Sequence, residues 1–175
     1  EWGGVSARLG SNGPYWSLSY EAAYYALFGI AVYTRGARRV ALLALGAWIF
    51  GLNILLLLPA WLMGVAVQRV LAGGSGIEGR AALALAVLPV AAYVLALRLG
   101  VPDLLRVPIA EYGAALRFSD EFIWNNLLAV LMALHLLGMA GLLRWRRIVR
   151  SAAPIRWLAG GSFSLYLVHY PVLQA

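Results

Sequence analysis

Three ionisable side chains fall inside long apolar stretches of the chain, and they are its strongest candidates for chemistry: Glu21, His135 and His169. An ionisable group is costly in an apolar environment, so each one is a functional hypothesis by default. Carboxyl and imidazole groups are common general acids and bases. The chain has no cysteine, which excludes thiol nucleophiles and thiolate metal sites. Its histidines are too far apart in the sequence to predict a metal site.

Glu21 lies in the first apolar stretch, where helical spacing places Ser17, Glu21 and Tyr25 on one face. This arrangement suits a site in which a buried carboxyl group meets a substrate hydroxyl between aromatic walls. It equally suits an interfacial aromatic belt in which one Glu bonds to a neighbouring helix. These residues alone favour neither interpretation. The aromatic side chains of the adjoining stripe are Trp16, Tyr20, Tyr24 and Phe28.

His169 lies in the last apolar stretch, and its predicted depth can be compared with that of Glu21. At 1.5 Å of rise per residue, Glu21 lies roughly 9 Å below the outer end of its span. In a core of about 30 Å, His169 lies roughly 10 Å below the same face. The two side chains are therefore predicted at one level. The alternative is a His169 hydrogen-bonded to a backbone carbonyl that Pro171 leaves without a partner.

Other polar residues in the apolar stretches are expected to have structural roles. His135 lies deeper than the other two candidates and is predicted to bond to a neighbouring helix. Asn53, Asn125 and Asn126 are expected to do the same. The adjacent pair Asp120 and Glu121 precedes an apolar stretch, where acidic residues favour the start of a helix.

The composition identifies the class of protein. The chain has 175 residues, of which 63% are hydrophobic and 12% charged, and its mean hydropathy is +0.80. A soluble domain of this size could not cover so much apolar surface. The sequence therefore predicts an all-α, polytopic transmembrane helix bundle whose partner is the lipid bilayer.

Six spans are predicted from the apolar stretches and the residues that bound them. Pro59 is expected to break the helix between the second span and a short third one, and Pro89 to kink the fourth. The residues before the first span form an outer-side segment, 1–14, and the bundle covers 15–175. The spans are 15–33, 40–58, 60–71, 81–99, 122–143 and a last one from 155 to the C-terminus.

The net charge of +7 comes from fourteen arginines and no lysine. Six spans place ten of the arginines on one face, which the positive-inside rule makes cytoplasmic and which leaves the C-terminus outside. The charge is therefore attributed to membrane topology, and no nucleic-acid partner is predicted. The ten residues are Arg35, Arg38, Arg39, Arg69, Arg80, Arg144, Arg146, Arg147, Arg150 and Arg156.

Two segments resemble the membrane-bound acyltransferase-3 family of bacterial O-acyltransferases. Residues 12–25 (Asn-Gly-Pro-Tyr-Trp-Ser-Leu-Ser-Tyr-Glu-Ala-Ala-Tyr-Tyr) resemble the family's Pro-x-Trp-Ser-Leu-x-x-Glu segment. Residues 158–172 resemble its last-helix segment, with Tyr166, His169 and Pro171 at the matching positions. A third segment, 58–64, fits a family turn loosely and lacks its Arg. The two strong motifs lie near opposite ends of the chain in the family's order.

The resemblance implies transfer of an acyl group, often acetyl, from a cytoplasmic acyl-CoA donor to a hydroxyl of a carbohydrate or other cell-envelope acceptor. It implies a bacterial inner-membrane location and no metal. Glu21 and His169 correspond to catalytic positions. Trp16, Ser17, Tyr25 and Tyr166 correspond to substrate-binding ones. Arg35, Arg38 and Arg39 could hold the phosphates of CoA, although topology explains them better.

The family fold has roughly ten membrane helices, and its front half carries a catalytic His and Arg. The present chain, 1–175, corresponds to the C-terminal part of such a domain, so we expect it to be inactive by itself. Two other functions stay open. A polytopic transporter or exporter would use broken helices such as those expected at Pro59 and Pro89. A membrane scaffold without catalysis predicts that Glu21→Gln has no effect.

Overall fold

The computed structural model describes residues 16–74, 76–116, 119–146, 153, 157 and 159–161. The described part of the chain is helical and contains no strand. Its elements are α1 (Trp16–Tyr33), α2 (Gly36–Ala72), α3 (Gly79–Arg98), α4 (Val101–Arg106), a 3₁₀ helix (Val107–Tyr112), α5 (Gly113–Leu116) and α6 (Phe122–Arg146). The contacts of the chain group it into two compact units, Glu1–Thr34 with Val149–Ala175, and Arg35–Ile148.

Three of the described helices are long and apolar enough to cross a membrane: Gly36–Ala72, Gly79–Arg98 and Phe122–Leu143. These confirm a membrane helix bundle, but they do not confirm six spans. The first predicted span forms α1, whose 18 residues include Glu21 and several tyrosines, and it is not among the three. The sixth predicted span, from residue 155, lies largely outside the described residues.

The helix break predicted at Pro59 is wrong. Helix α2 continues through Pro59, and its non-helical residue is Gly51, with φ 79° and ψ 169°. Only glycine adopts this backbone conformation readily, because it has no Cβ. Predicted spans two and three are therefore parts of one broken helix, with 15 residues before Gly51 and 21 after it. The second part alone is roughly 32 Å long, enough to cross a bilayer core.

Helices α3 and α6 pack against each other in opposite directions along a seam of small residues. On α3, Ala82 and Ala86 are buried, at 0% and 5% exposure. They face Gly138 and Gly141 of α6, both buried. A β-carbon built on Gly138 would lie 2.8 Å from the carbonyl oxygen of Ala82, closer than real contacts permit. Small residues let two backbones approach closely, which is how membrane helices gain packing energy.

The remaining faces of these helices carry large apolar side chains that no protein covers. On α3, Leu83 is 53% exposed and Leu88 is 63% exposed, while Ala82 and Ala86 of the same helix are buried. This distribution is the reverse of a helix in a soluble protein, where the large apolar side chains form the core. An apolar surface of this extent is suited to contact with lipid chains.

Candidate functional site

Helix α1 displays the predicted polar face. Ser17, Glu21 and Tyr25 follow one another at helical spacing, with Glu21 exposed and Tyr25 62% exposed. The opposite face is the packed one, because Ala23, Tyr24 and Leu27 are each at most 5% exposed. Glu21 is exposed in this structure, so a carboxyl group buried between aromatic walls, one of the two interpretations that the sequence left open, is not seen here. Ser17, Glu21 and Tyr25 nevertheless lie on one face of α1.

Two aromatic rings of α1 pair with each other along the helix. The ring centroids of Tyr20 and Tyr24 lie 6.3 Å apart at an interplanar angle of 83°, an edge-to-face pair. Trp16 is the first residue of α1, but its side chain lies outside the described part of the structure. The predicted partners Tyr166 and His169 also lie outside the described residues. Their assignment as substrate-binding and catalytic residues stays a prediction.

The three arginines proposed for CoA phosphates lie at the start of α2. Arg35 precedes the helix in an extended conformation without a side-chain cap, and Arg38 is exposed in the first turn. Arg39 is partly buried. Cations at a helix N-terminus are unfavourable beside the positive end of the dipole, so helix stability does not explain them. Membrane topology or an anionic ligand would explain them.

The prediction that His135 bonds to a neighbouring helix is confirmed. Its Nδ1 lies 2.8 Å from the carbonyl oxygen of Ala86 on α3. Ala86 precedes Pro89 by three residues in α3, which is one helix through the proline. The imidazole of α6 therefore gives its N–H a backbone acceptor on the neighbouring helix, as a membrane requires. A carbonyl can only accept, so Nδ1 carries the proton, and Nε2 of the neutral ring is an acceptor.

Asn126 repeats this arrangement one helix away and confirms the corresponding prediction. Its Nδ2 donates to the carbonyl oxygen of Leu56 at 2.8 Å and to that of Phe122 at 2.8 Å. Leu56 stands three residues before Pro59 in α2, as Ala86 stands before Pro89 in α3. Two polar side chains of α6 thus bond to carbonyl groups in helices that continue through a proline.

Asn53 ties α2 to the connection before α6. Its side-chain Nδ2 donates to the backbone carbonyl oxygen of Ala115 at 3.1 Å. The backbone carbonyl oxygen of Asn53 accepts from the hydroxyl of Ser119 at 2.6 Å. Ser119 is fully buried. These bonds lie two residues after the break at Gly51 and tie this part of α2 to the segment before α6. No side-chain bond of Asn125 confirms the third prediction among the described residues.

An ion pair at the start of α6 was missed by the sequence analysis. Arg106 of α4 donates from Nη2 to Asp120, and its Nη1 lies 3.3 Å from Oε1 of Glu121. The hydrogen bond that Arg106 donates to Asp120, together with the charges of both carboxylates, raises the pKa of Arg106 above its ordinary value. The acidic pair does precede α6, as predicted, but it also holds the α4 segment over that end of the bundle.

A groove lies between α3 and α6 on the lipid-facing side. It has a volume of about 360 Å³, and its lining includes Pro89, Tyr93, Leu131, Met132 and His135. Tyr93 stacks on Trp124 with ring centroids 6.1 Å apart and an interplanar angle of 23°. The sequence analysis missed this groove, although its two polar members fall in predicted spans. Only the relative register of α3 and α6 could have shown that Tyr93 and His135 line one groove.

Within the described residues, no group of three or more His, Cys, Asp or Glu side chains could hold a metal ion. Comparison of the chain with protein-family models, with curated proteins and with solved structures finds no match.

Proposed function

We propose that this chain is part of a membrane-bound O-acyltransferase of the acyltransferase-3 type. The observation that carries the proposal is the pair of motifs at residues 12–25 and 158–172. Most of the first motif forms the continuous helix α1, on which Ser17, Glu21 and Tyr25 share one face.

The proposed reaction moves an acyl group, typically acetyl, from the thioester sulfur of a CoA-type donor to a hydroxyl oxygen of a carbohydrate or other envelope acceptor. The acceptor oxygen forms the new ester bond, and the carbon–sulfur bond of the donor breaks. A histidine removes the hydroxyl proton, and the free thiol of CoA leaves with a proton. His169 is the proposed base within this chain, and Glu21 orients or charges the site.

The donor would approach from the arginine-rich face, which the positive-inside rule makes cytoplasmic. Arg35, Arg38 and Arg39 would hold its phosphates through charge-assisted hydrogen bonds. The proposed location is the bacterial inner membrane, with the predicted outer face carrying the acceptor. The bundle observed here would position these groups, and the upstream His and Arg of the family would complete the active site.

The test is acyl transfer from radiolabelled acetyl-CoA in membranes that contain the complete gene product. The variants are Glu21→Gln and His169→Ala, with Glu111→Gln as the matched control, since Glu111 is exposed in the 3₁₀ helix and away from both motifs. We expect both site variants to lose at least 100-fold in rate, the usual scale for a general base, while the control keeps full rate. Full transfer by both site variants would refute these roles.

A transporter is the second candidate, and the break of α2 at Gly51 favours it. Broken helices with polar residues beside the break, here Asn53 and Asn126, are where secondary transporters bind substrates and ions. Absence of acyl transfer in wild-type membranes, together with uptake or export of a solute that Asn53→Ala abolishes, would support this function instead.

A further inference from the structure

The groove between α3 and α6 combines an apolar lining with one unusual polar group. The groove lies within helices long and apolar enough to span a membrane. His135 lies roughly 20 Å from the start of α6, well inside the hydrocarbon region. Contact with lipid chains alone requires only an apolar surface and no polar side chain. An imidazole at this depth is costly unless its second nitrogen also finds a partner.

The hydrogen bond of Nδ1 decides what that partner must be. Because Nδ1 donates to the carbonyl of Ala86, Nε2 of the neutral ring accepts. A molecule in the groove should therefore carry a hydrogen-bond donor at the level of His135. The rest of it should be apolar, to match Leu131, Met132 and the other aliphatic side chains of the lining.

The size and the far end of the groove restrict the ligand further. From Leu128 to His135 the groove follows α6 for roughly 10 Å. Its volume of about 360 Å³ is at the small end of ordinary ligand pockets. At the other end stands Tyr93, which is held in place by its stacking on Trp124. One hydrocarbon chain fits this shape.

We propose that this groove binds a long-chain alcohol of the membrane, with the hydrocarbon chain along α6 and the hydroxyl donating to Nε2 of His135. The proposal concerns binding alone and does not depend on acyl transfer. Each can therefore fail without the other. It assigns to His135 a role as a ligand-binding acceptor, in addition to its structural bond to α3.

The test is photolabelling of the full chain, in membranes or mild detergent, with a long-chain alcohol that carries a diazirine in its chain. The matched probe is the methyl ether of the same alcohol, which cannot donate. We expect the alcohol to label peptides that contain 90–93 or 128–132, competed by unlabelled alcohol. The ether should bind about threefold to tenfold more weakly, the worth of one hydrogen bond.

Variants separate the groove from the hydrogen bond. His135→Leu should reduce labelling by the alcohol to the level of the ether. His135→Gln should keep the preference for the alcohol, because its amide can donate to Ala86 and still present an acceptor. Leu131→Trp fills the groove and should abolish labelling by both probes. Leu83→Trp, on an exposed position outside the groove, should leave both unchanged.

Three outcomes would overturn the proposal. Equal labelling by the alcohol and the ether would show that the ligand makes no hydrogen bond to His135. Labelling that survives Leu131→Trp would place the ligand elsewhere. If a protein segment covers the groove, Leu131→Cys, introduced into a chain without native cysteine, would cross-link to protein and the alcohol would not label.

Discussion

Replacing Gly138 by Ala adds one methyl group to the most crowded position of the α3–α6 seam. The new β-carbon would lie 2.8 Å from the carbonyl oxygen of Ala82 and closer still to the backbone nitrogen of Ala86. Both opposing atoms belong to the backbone, so no side-chain rotation can relieve the clash. The carbonyl carbon of Leu85 would lie 2.5 Å away, so the helices must separate by at least about 0.9 Å to reach ordinary contact at 3.4 Å.

The cost of this separation has two parts. Overpacking of a tight interface costs about 1–3 kcal/mol. The same movement stretches the 2.8 Å bond between His135 and Ala86 beyond good hydrogen-bond geometry, and an interhelical bond in a membrane is worth about 0.6 kcal/mol. We therefore expect Gly138→Ala to lower the free energy of unfolding by about 2–4 kcal/mol.

The measurement is unfolding in mixed detergent micelles with rising SDS, followed by tryptophan fluorescence. The matched control is Gly64→Ala, an exposed helical glycine whose β-carbon would meet nothing within 4 Å. That control should be neutral or stabilising by up to about 1 kcal/mol, because alanine favours a helix over glycine. If both variants unfold at the same SDS fraction, the seam is not the contact that holds α3 and α6 together.

Three further predictions follow from the same unit. Gly51→Ala should destabilise by about 1–3 kcal/mol in the SDS assay, because its φ of 79° strains any residue with a β-carbon, although no neighbour lies within 4 Å; a neutral result would show that α2 is not broken there. Asn126→Ala should cost about 1 kcal/mol through its lost bonds to carbonyls, whereas Asn125→Ala should not; equal losses would contradict the role of Asn126 at the Pro59 turn. Arg106→Gln should speed amide exchange in 101–112, measured by mass spectrometry. Because the pKa of Arg106 is raised, its charge is present at every pH below that pKa and is lost only as pH rises through it. Wild-type exchange in this segment, corrected for intrinsic rates, should therefore be constant between about pH 7 and pH 10. A loss of protection over that range would refute the role of the Arg106 ion pair.

The polar residues of α6 show what sequence reasoning could predict. An imidazole or amide in an apolar stretch needs a partner, and the only abundant partners there are backbone groups of other helices. This argument correctly predicted the roles of His135 and Asn126. It could not name Ala86 and Leu56 as their acceptors, because these residues are far away in the sequence and are identified only by the packing of the helices.

The same limit explains the wrong break in α2. A proline is a strong local signal, but α2 continues through Pro59, and Asn126, which lies more than sixty residues later, bonds to the carbonyl oxygen of Leu56 in the same turn. The break at Gly51 depends on a positive φ, and a positive φ cannot be predicted from an isolated glycine in an apolar stretch. The count of six spans is not confirmed, since the predicted third span required a separate segment after Pro59 and α2 continues through that residue.

The candidate site was predictable only in part. Helical spacing placed Ser17, Glu21 and Tyr25 on one face, and α1 forms as that spacing requires. Spacing within one helix does not determine what covers that face, so it could not decide between a buried Glu21 and the exposed one that the structure shows. The groove beside His135 depends on the relative register of α3 and α6, and residue patterns within each helix do not contain that register.

The seam of glycine and alanine has a consequence for how this sequence can change over time. Positions facing lipid, such as Leu83 and Leu88, need only be apolar, so they can exchange among Leu, Ile, Val and Phe with little effect. Gly138 and Gly141 admit almost no alternative, since any side chain there meets backbone. Positions that face lipid can thus vary in sequence, whereas the packing of α3 against α6 depends on a few of the smallest residues of the chain.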